Sequence, residues 1–211
     1  MCRLLAVRSP KTIAVTPYLE KFARVAQESR EYQGHGWGIA YRVSGQDWSC
    51  YKNIKPIWED DLSQFPATDM LIAHARSAFN DEGIVVENNM PFYDAESIFV
   101  FNGELQGVRI REDGRIGAEK IFNFIKRFYH HDLGEALQKG THLLHKRTRY
   151  VRAMNIIMTN KQHFYVSSFY SETPDYFQMV VKHSPVLVVC SDPFPGESGW
   201  HVIPNNSYHV F

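Results

Sequence analysis

The stretch MCRLLAV (residues 1–7) places a cysteine directly behind the initiator methionine and directly before an apolar run. The run from Cys2 to Arg8 predicts a β-strand, so Cys2 belongs to a buried element rather than to a loose tail. Cytoplasmic processing removes Met1 when the second side chain is small, and Cys2 would then carry both a thiol and a free α-amine. An α-amine of pKa about 7.7–8.0 is a suitable base for a thiol of pKa about 8.5. Cys2 is therefore either an N-terminal nucleophile or a small apolar residue of a strand.

The composition of the 211-residue chain is typical of a globular protein with a sizeable core. Hydrophobic residues make up 44% of the chain and aromatic residues 14%. Lysine plus arginine equals aspartate plus glutamate at 23 each, so we expect no nucleic-acid partner and no anionic membrane partner. No apolar run approaches membrane length and no leader precedes a cleavage site, which predicts a cytoplasmic protein. No linker or repeat divides the chain, so we expect a single domain over residues 1–211.

The order of predicted elements is strands, then two helices, then more strands. Strands are predicted at 2–8, 35–43, 48–54, 69–79, 97–105, 151–159, 163–168, 176–182, 186–191, 200–203 and 208–211. Helices are predicted at 17–32, 118–129 and 133–146. Hairpin-like spacing of the strands indicates largely antiparallel sheets rather than βαβ units. The fold class is therefore α+β, with two sheets packed face to face and helices outside.

Two strand ends carry polar residues that can do chemistry together with Cys2. Arg76 closes the strand of 69–79, and a guanidinium can hold a carboxylate through two parallel hydrogen bonds. Asn102 and Gly103 close the strand of 97–105, and an amide side chain with a backbone N–H can form an oxyanion hole. Taken singly, Arg76 is as well explained by solvation and Asn102-Gly103 by a turn. Together with Cys2 they form a nucleophile, an oxyanion hole and a carboxylate clamp.

The ten histidines and the other cysteines give no metal signal. His130-His131 and the pair His142 and His145 lack the further ligands that a zinc site needs, and no HExxH run is present. Cys50 and Cys190 lie in strand-like contexts and are predicted to be buried small hydrophobes. We expect neither a metal nor another cofactor.

Several short motifs resemble, in the same order, those of class II glutamine amidotransferase domains. They are MCRLLAV (1–7), HGWGIAYR (35–42), IAHARSAF (72–79), NNMPF (88–92) and VFNGEL (100–105), and CSDPF (190–194) and GWHVIP (199–204) resemble a late family segment. The resemblance is greatest to short stand-alone members such as the amidohydrolase of ergothioneine biosynthesis. It is concentrated in residues 2–105.

The resemblance implies a four-layer αββα N-terminal-nucleophile hydrolase fold and attack on a side-chain amide. It makes Cys2 the nucleophile, with its own amine as base. It also makes Arg76 the ligand of the substrate's α-carboxylate. Asn102 and the N–H of Gly103 would stabilise the oxyanion. Trp37, Gly38 and His74 become candidates for the substrate pocket, although core packing explains Trp37 equally well.

Two positions depart from the family pattern where the substrate's ammonium group is recognised. Gly117 stands where the family usually has an aspartate that pairs with this ammonium, and Met90 stands where a histidine is common. Asp113 or Glu119 is a possible substitute for the aspartate. A buried ammonium without a counter-charge would bind more weakly by a few kcal/mol. The catalytic half of the pattern is intact, whereas the specificity half is altered.

The sequence therefore predicts a Cys2 thioester amidohydrolase that releases ammonia or an amine from a glutamine-like side-chain amide. Since no second domain receives the ammonia, a separate ammonia-accepting synthase chain is a possible partner. One alternative is an amidase for a γ-glutamyl or other non-glutamine amide. The other alternative is a catalytically silent binding subunit with the same fold.

Overall fold

The computed structural model describes all residues from Met1 to Phe211. The strands are β1 (Arg3–Ile13), β2 (Trp37–Arg42), β3 (Trp48–Asn53), β4 (Thr68–Ala75), β5 (Phe92–Tyr93), β6 (Ile98–Val108), β7 (Thr148–Thr159), β8 (Phe164–Ser168), β9 (Val180–Lys182), β10 (Leu187–Cys190), β11 (His201–Val202) and β12 (Ser207–Val210). The helices are α1 (Thr16–Gln27), α2 (Gly117–Lys126), α3 (Leu133–Lys146) and the single turn α4 (Pro174–Phe177). Short 3₁₀ turns lie at Ile57–Glu59, Leu62–Gln64, Phe79–Asp81 and Val86–Asn88. None of these helices combines the length and the apolarity that crossing a bilayer requires.

The chain forms two compact units, the first of which comprises Met1–Pro91 and Met179–Ile203. Its seven-stranded sheet has the order β11-β9-β10-β1-β4-β2-β3, and all of its pairs are antiparallel. Alternate residues of the central strands, such as Leu5 and Ala73, join a core that also contains the buried face of α1. Pro17 lies in the first turn of α1, where a missing N–H costs nothing. The opposite face of the sheet carries the even-numbered residues of β1 and β4.

The second unit comprises Phe92–Gln178 and Pro204–Phe211 and contains a five-stranded sheet. Its order is β12-β8-β7-β6-β5, and every pair is antiparallel. The helices α2 and α3 bury apolar faces, with Phe122 and Leu137 among the residues removed from solvent. Asp132 caps α3, since its side chain accepts a hydrogen bond from the N–H of Glu135.

Two sheets with exclusively antiparallel pairs and few helices confirm the predicted α+β class. Most predicted strands and both helices of the middle segment are present, with boundaries shifted by a few residues. The single-domain organisation stays a prediction.

Two predicted elements are wrong in part. The helix predicted to reach Tyr32 ends at Gln27, because the backbone leaves the helical conformation at Glu28, whose ψ is 2°. Beyond it, the side chain of Gln33 donates to the backbone carbonyls of Glu31 and Met1. The predicted strand 176–182 begins instead with a helical turn, since Pro174 supplies the φ angle of a first helical residue. Only Val180–Lys182 is extended there.

Candidate active site

Cys2 lies one residue before β1 in the first unit, beside the end of β4. Its thiol donates a 3.6 Å hydrogen bond to the backbone carbonyl of Ser77. Burial raises the pKa of the Cys2 thiol, while the N-terminal ammonium and the Arg76 guanidinium act in the opposite direction. Cys2 as a whole is half-buried, and two positive groups beside its sulfur favour the thiolate.

The register of β1 against β4 places Cys2 and Arg76 on the same face of the sheet. Arg3 pairs with Ala75 and Leu4 with His74, so one further step brings Cys2 opposite Arg76. Because side chains alternate along a strand, His74 shares this face, and Gly38 lies beside His74 on β2. The fold thus collects four of the predicted site residues on one face of the first unit.

Arg76 is a buried cation without a carboxylate partner. Its side chain is only 5% exposed, and Nη1 donates to the carbonyl of Gly83 at 2.9 Å and to Oδ1 of Asn89 at 3.4 Å. Both acceptors are neutral. Burial lowers the pKa of Arg76, and the opposing contribution comes from the Cys2 sulfur rather than from an acid. A buried guanidinium is costly unless an anion pairs with it, so this arrangement favours an anionic ligand.

A chain of hydrogen bonds holds the acceptor Asn89 in place. Its Nδ2 donates to the carbonyl of Asn53 at 2.8 Å, and the Asn53 side chain donates to Asp60 at 2.8 Å. Gly36 is required next to it, because its φ is +107° and a Cβ there would overlap the Asn89 amide. The guanidinium is thus oriented by a hydrogen-bonded network that extends through Asn89 and Asn53 to Asp60.

Trp37 and Gly38 have structural roles in the first unit. Trp37 belongs to the core on the α1 side of the sheet, and its indole Nε1 donates to Asp60 at 2.8 Å. Its side chain therefore lies on the face opposite to Cys2, which supports core packing rather than the predicted substrate contact. Gly38 lies against the backbone carbonyl of Met90, where a Cβ would overlap that oxygen. Because Gly38 has no side chain, the backbone around Met90 can pack directly against it.

In the second unit, Asn102 is a buried amide without a hydrogen-bond partner. The residue is 1% exposed, and neither Nδ2 nor Oδ1 has a partner in the structure. Its cross-strand neighbour Asn155, by contrast, donates to the Phe177 carbonyl and accepts from Ser168. A buried polar group without a partner is rare because it costs about 1–3 kcal/mol, and a ligand that supplied the missing partner would remove this cost.

Gly103 follows Asn102 on β6 and offers a backbone N–H on the side away from β7. Its partner Met154 donates its N–H to Phe169 on the other side of β7, so Gly103 and Met154 form a non-hydrogen-bonded pair. The N–H of Gly103 therefore points to the same side of β6 as the N–H of Phe99. At Phe99 this side is covered by the short strand β5, but β5 does not extend as far as Gly103. A Cβ on Gly103 would overlap the Ala153 carbonyl, so only glycine fits.

The two acids considered as substitutes for the missing aspartate differ in availability. Glu119 accepts a hydrogen bond from the backbone N–H of Arg115 at 2.6 Å and forms an ion pair with the guanidinium of the same residue. It is already neutralised. Asp113 lies exposed in the loop before α2. Gly117 begins α2 with open space around its Cα, so nothing in the backbone demands a glycine there.

The N-terminus itself is tied to the first unit. The Met1 ammonium pairs with the carboxylate of Glu31, and the Met1 carbonyl accepts from the side chain of Gln33, which is fully buried. His35 lies nearby, and its Nδ1 accepts from the N–H of Ala78 at 2.9 Å.

Sequence reasoning assigned no role to Gln33, His35, Asn88 or Asn89. The available signal was the Asn-Asn pair before Pro91, since two amides in an otherwise apolar context predict buried hydrogen-bonding groups.

No group of three or more His, Cys, Asp or Glu side chains is close enough to hold a metal ion. His145 packs its ring against Phe169 at 4.6 Å, which gives this histidine a packing contact.

No protein-family model matches the sequence, and no curated protein matches it. Solved structures do resemble it. The glutamine phosphoribosylpyrophosphate amidotransferase from B. subtilis has a TM-score of 0.66 at 16% identity, with 90% of this chain and 42% of that chain covered. A glutamine aminotransferase class-II domain protein from Silicibacter pomeroyi has a TM-score of 0.63 at 16% identity, covering 100% and 98%. A predicted glutamine amidotransferase from Pseudomonas aeruginosa has a TM-score of 0.60 at 14% identity, covering 100% and 97%.

The likeness shows the fold alone: the chain shares its α+β architecture with these solved structures, in agreement with the α+β class that the sequence predicted. The chain spans about two fifths of the B. subtilis enzyme and nearly the full length of the other two proteins.

Proposed function

We propose that the chain is an N-terminal cysteine amidohydrolase of the class II glutamine amidotransferase type. The observation that carries the proposal is the uncompensated guanidinium of Arg76, buried on the same face of the sheet as the Cys2 thiol. A cation that is kept dry and held only by neutral acceptors fits an anionic ligand, here the carboxylate of a glutamine-like substrate. The carboxylate would meet Nε and Nη2, because the contacts of Gly83 and Asn89 engage Nη1.

The reaction begins once Met1 has been removed and Cys2 carries a free α-amine. The amine takes the thiol proton, and the sulfur attacks the side-chain amide carbon of the substrate. The resulting oxyanion would be held by Nδ2 of Asn102 and the N–H of Gly103. This role is supported by the unpartnered Asn102 amide and the open direction of the Gly103 N–H. Removing one such donor typically lowers turnover by about 10²–10³.

Collapse of the tetrahedral intermediate breaks the C–N bond. The α-ammonium gives its proton to the leaving nitrogen, which departs as ammonia or an amine, and a thioester remains on Cys2. Water, deprotonated by the same amine, then attacks the thioester carbon and releases the carboxylic acid. The ammonia is either a product in its own right or passes to a separate synthase chain. Within this class, a stand-alone hydrolase similar to the ergothioneine-pathway amidohydrolase is one form of the proposal.

A second candidate is an amidase for γ-glutamyl amides or other non-glutamine amides. Gly117 favours it, because the carboxylate expected to pair with the substrate's ammonium is missing, and Glu119 is bound to Arg115. The third candidate, a silent binding subunit, would keep Arg76 and lose turnover.

The test uses protein whose Met1 has been removed, verified by intact mass. Ammonia release from glutamine and amine release from γ-glutamyl amides are compared with those of a Cys2→Ala control. Turnover of either substrate class that disappears in Cys2→Ala supports the proposal. An electrophilic glutamine analogue should label Cys2 and leave Cys190 unmodified, since burial raises the pKa of Cys190 to about 12. Binding of substrate without turnover in the processed protein would contradict the enzyme and support the silent subunit.

A further inference from the structure

Two buried side chains of the first unit, those of Arg76 and Asn88, share one backbone carbonyl. The carbonyl oxygen of Gly83 accepts from Nη1 of Arg76 and from Nδ2 of Asn88, each at 2.9 Å. Two donors that share one oxygen at this distance cannot be more than about 6 Å apart. The Asn88 amide is therefore close to the guanidinium.

The remaining polar atom of Asn88 has no donor. The residue is 7% exposed, and its Oδ1 is buried without a hydrogen-bond partner in the structure. The bond to Gly83 identifies the other atom as the nitrogen, so the atom left over is an acceptor. A buried acceptor without a donor costs about 1–3 kcal/mol, so a ligand N–H that reaches this oxygen would bind favourably.

We infer that Asn88 is a substrate-binding residue and that its Oδ1 accepts a hydrogen bond from an N–H group next to the carboxylate held by Arg76. The inference rests on the proposed function and specifies its substrate class. The class consists of side-chain amides whose far end carries a carboxylate and an adjacent nitrogen that bears hydrogen.

The neutrality of this acceptor has a consequence for selectivity. An aspartate at the same point would strongly prefer a charged ammonium, whereas an amide oxygen accepts from an ammonium or from a secondary amide. Arg76 has no acidic partner either. The head group is thus recognised by one positive charge and one neutral acceptor, so the substrate's nitrogen need not be charged. This gives a physical account of how the chain can work with Gly117 in place of the aspartate.

The test is a substrate series on the processed wild-type protein, which needs no variant. L-glutamine has an α-ammonium, N-formyl-L-glutamine has a neutral α-N–H, and 4-carbamoylbutanoate lacks the nitrogen. We expect kcat/KM for 4-carbamoylbutanoate to be about tenfold to a hundredfold below that for glutamine, because Oδ1 stays unpaired. We expect N-formylglutamine to stay within about tenfold of glutamine. Equal values for glutamine and 4-carbamoylbutanoate, or an equally large loss for N-formylglutamine, would overturn the inference.

A variant assigns the effect to Asn88. In Asn88→Leu the ratio of kcat/KM between glutamine and 4-carbamoylbutanoate should fall toward one, and this ratio does not depend on the folded fraction. Asn123→Leu is the matched control, since Asn123 also donates through its side chain to a backbone carbonyl, that of Asp113, and should keep the wild-type ratio. An unchanged ratio of kcat/KM between the two substrates in Asn88→Leu would contradict the role of Asn88 in substrate binding.

The proposed function and the role of Asn88 are contradicted by different results. If neither these three amides nor γ-glutamyl amides are hydrolysed faster than by Cys2→Ala, the proposed function is wrong. If hydrolysis depends on Cys2 but is indifferent to the α-nitrogen, the function stands and the inference about Asn88 is wrong.

Discussion

Nη1 of Arg76 lies 3.4 Å from the side-chain oxygen of Asn89, and no carboxylate shares the guanidinium. Asn89 is fully buried and is held by its own bond to the Asn53 carbonyl. A neutral acceptor fixes the direction of a cation without cancelling its charge. The positive charge is thereby kept for a ligand.

Replacing Asn89 by aspartate should therefore weaken substrate binding. In Asn89→Asp a carboxylate would pair with Arg76 and compete with the substrate's carboxylate. We expect KM for glutamine to rise by about tenfold or more, with a smaller change in kcat, because the lost interaction is one of uniform binding. Steady-state kinetics on the processed protein measures both. Asn123→Asp is the control for the same chemical change away from Arg76, and an unchanged KM in Asn89→Asp would show that Arg76 does not bind the carboxylate.

The glycines at 103 and 117 should respond in opposite ways to alanine. A Cβ on Gly103 would overlap the Ala153 carbonyl, so the backbone of β6 or β7 must shift. We expect Gly103→Ala to lower the free energy of unfolding by about 1–3 kcal/mol. Gly117 has open space and begins a helix, so Gly117→Ala should raise this free energy by about 0.4–1 kcal/mol. Urea unfolding of both variants measures the difference, and equal stability of the two would contradict the close approach at Gly103.

The sequence was sufficient to locate Cys2 and Arg76 at strand ends, because strand length and the break from apolar to polar residues are local properties. The prediction that Asn102 and Gly103 close a strand was wrong, since β6 continues to Val108 and pairs with β7 beyond them. The sequence could not assign Trp37 to a face, since alternation gives two faces without saying which one packs on α1. The role of Asn89 could not be predicted from the sequence either. Its role depends on Asn53, 36 residues away in the chain, and only the folded sheet shows that contact.

The His35 side chain should make stability depend on pH. Burial lowers its pKa below the ordinary value, although Asp81 acts in the opposite direction, and Nδ1 accepts from the N–H of Ala78 only while it is unprotonated. As the pH falls, His35 is therefore protonated in the unfolded chain before it is protonated in the folded protein. The stabilisation is fully present above the unfolded pKa of about 6.5 and is lost as the pH falls through the lower, folded value.

The measurement is the free energy of unfolding by urea between pH 7.5 and 5. We expect wild type to lose stability toward pH 5. His35→Asn should lose less, because an amide oxygen accepts from Ala78 at either pH. Parallel curves for the two proteins would mean that His35 does not carry the pH dependence.

Removal of Met1 should be possible only before the chain folds. In the folded structure the Met1 ammonium pairs with Glu31, its carbonyl accepts from Gln33, and its side chain is 11% exposed. A methionine aminopeptidase needs an extended, accessible N-terminus, so these contacts must open first. We expect folded protein that retains Met1 to resist the peptidase in vitro, while the same protein in urea is trimmed, as measured by intact mass. Glu31→Gln combined with Gln33→Ala should speed trimming of the folded form about tenfold or more, since the two interactions that hold Met1 are weakened. Trimming of folded wild type at the rate of the unfolded chain would show that these contacts do not protect Met1, and Cys2 could then be exposed at any stage.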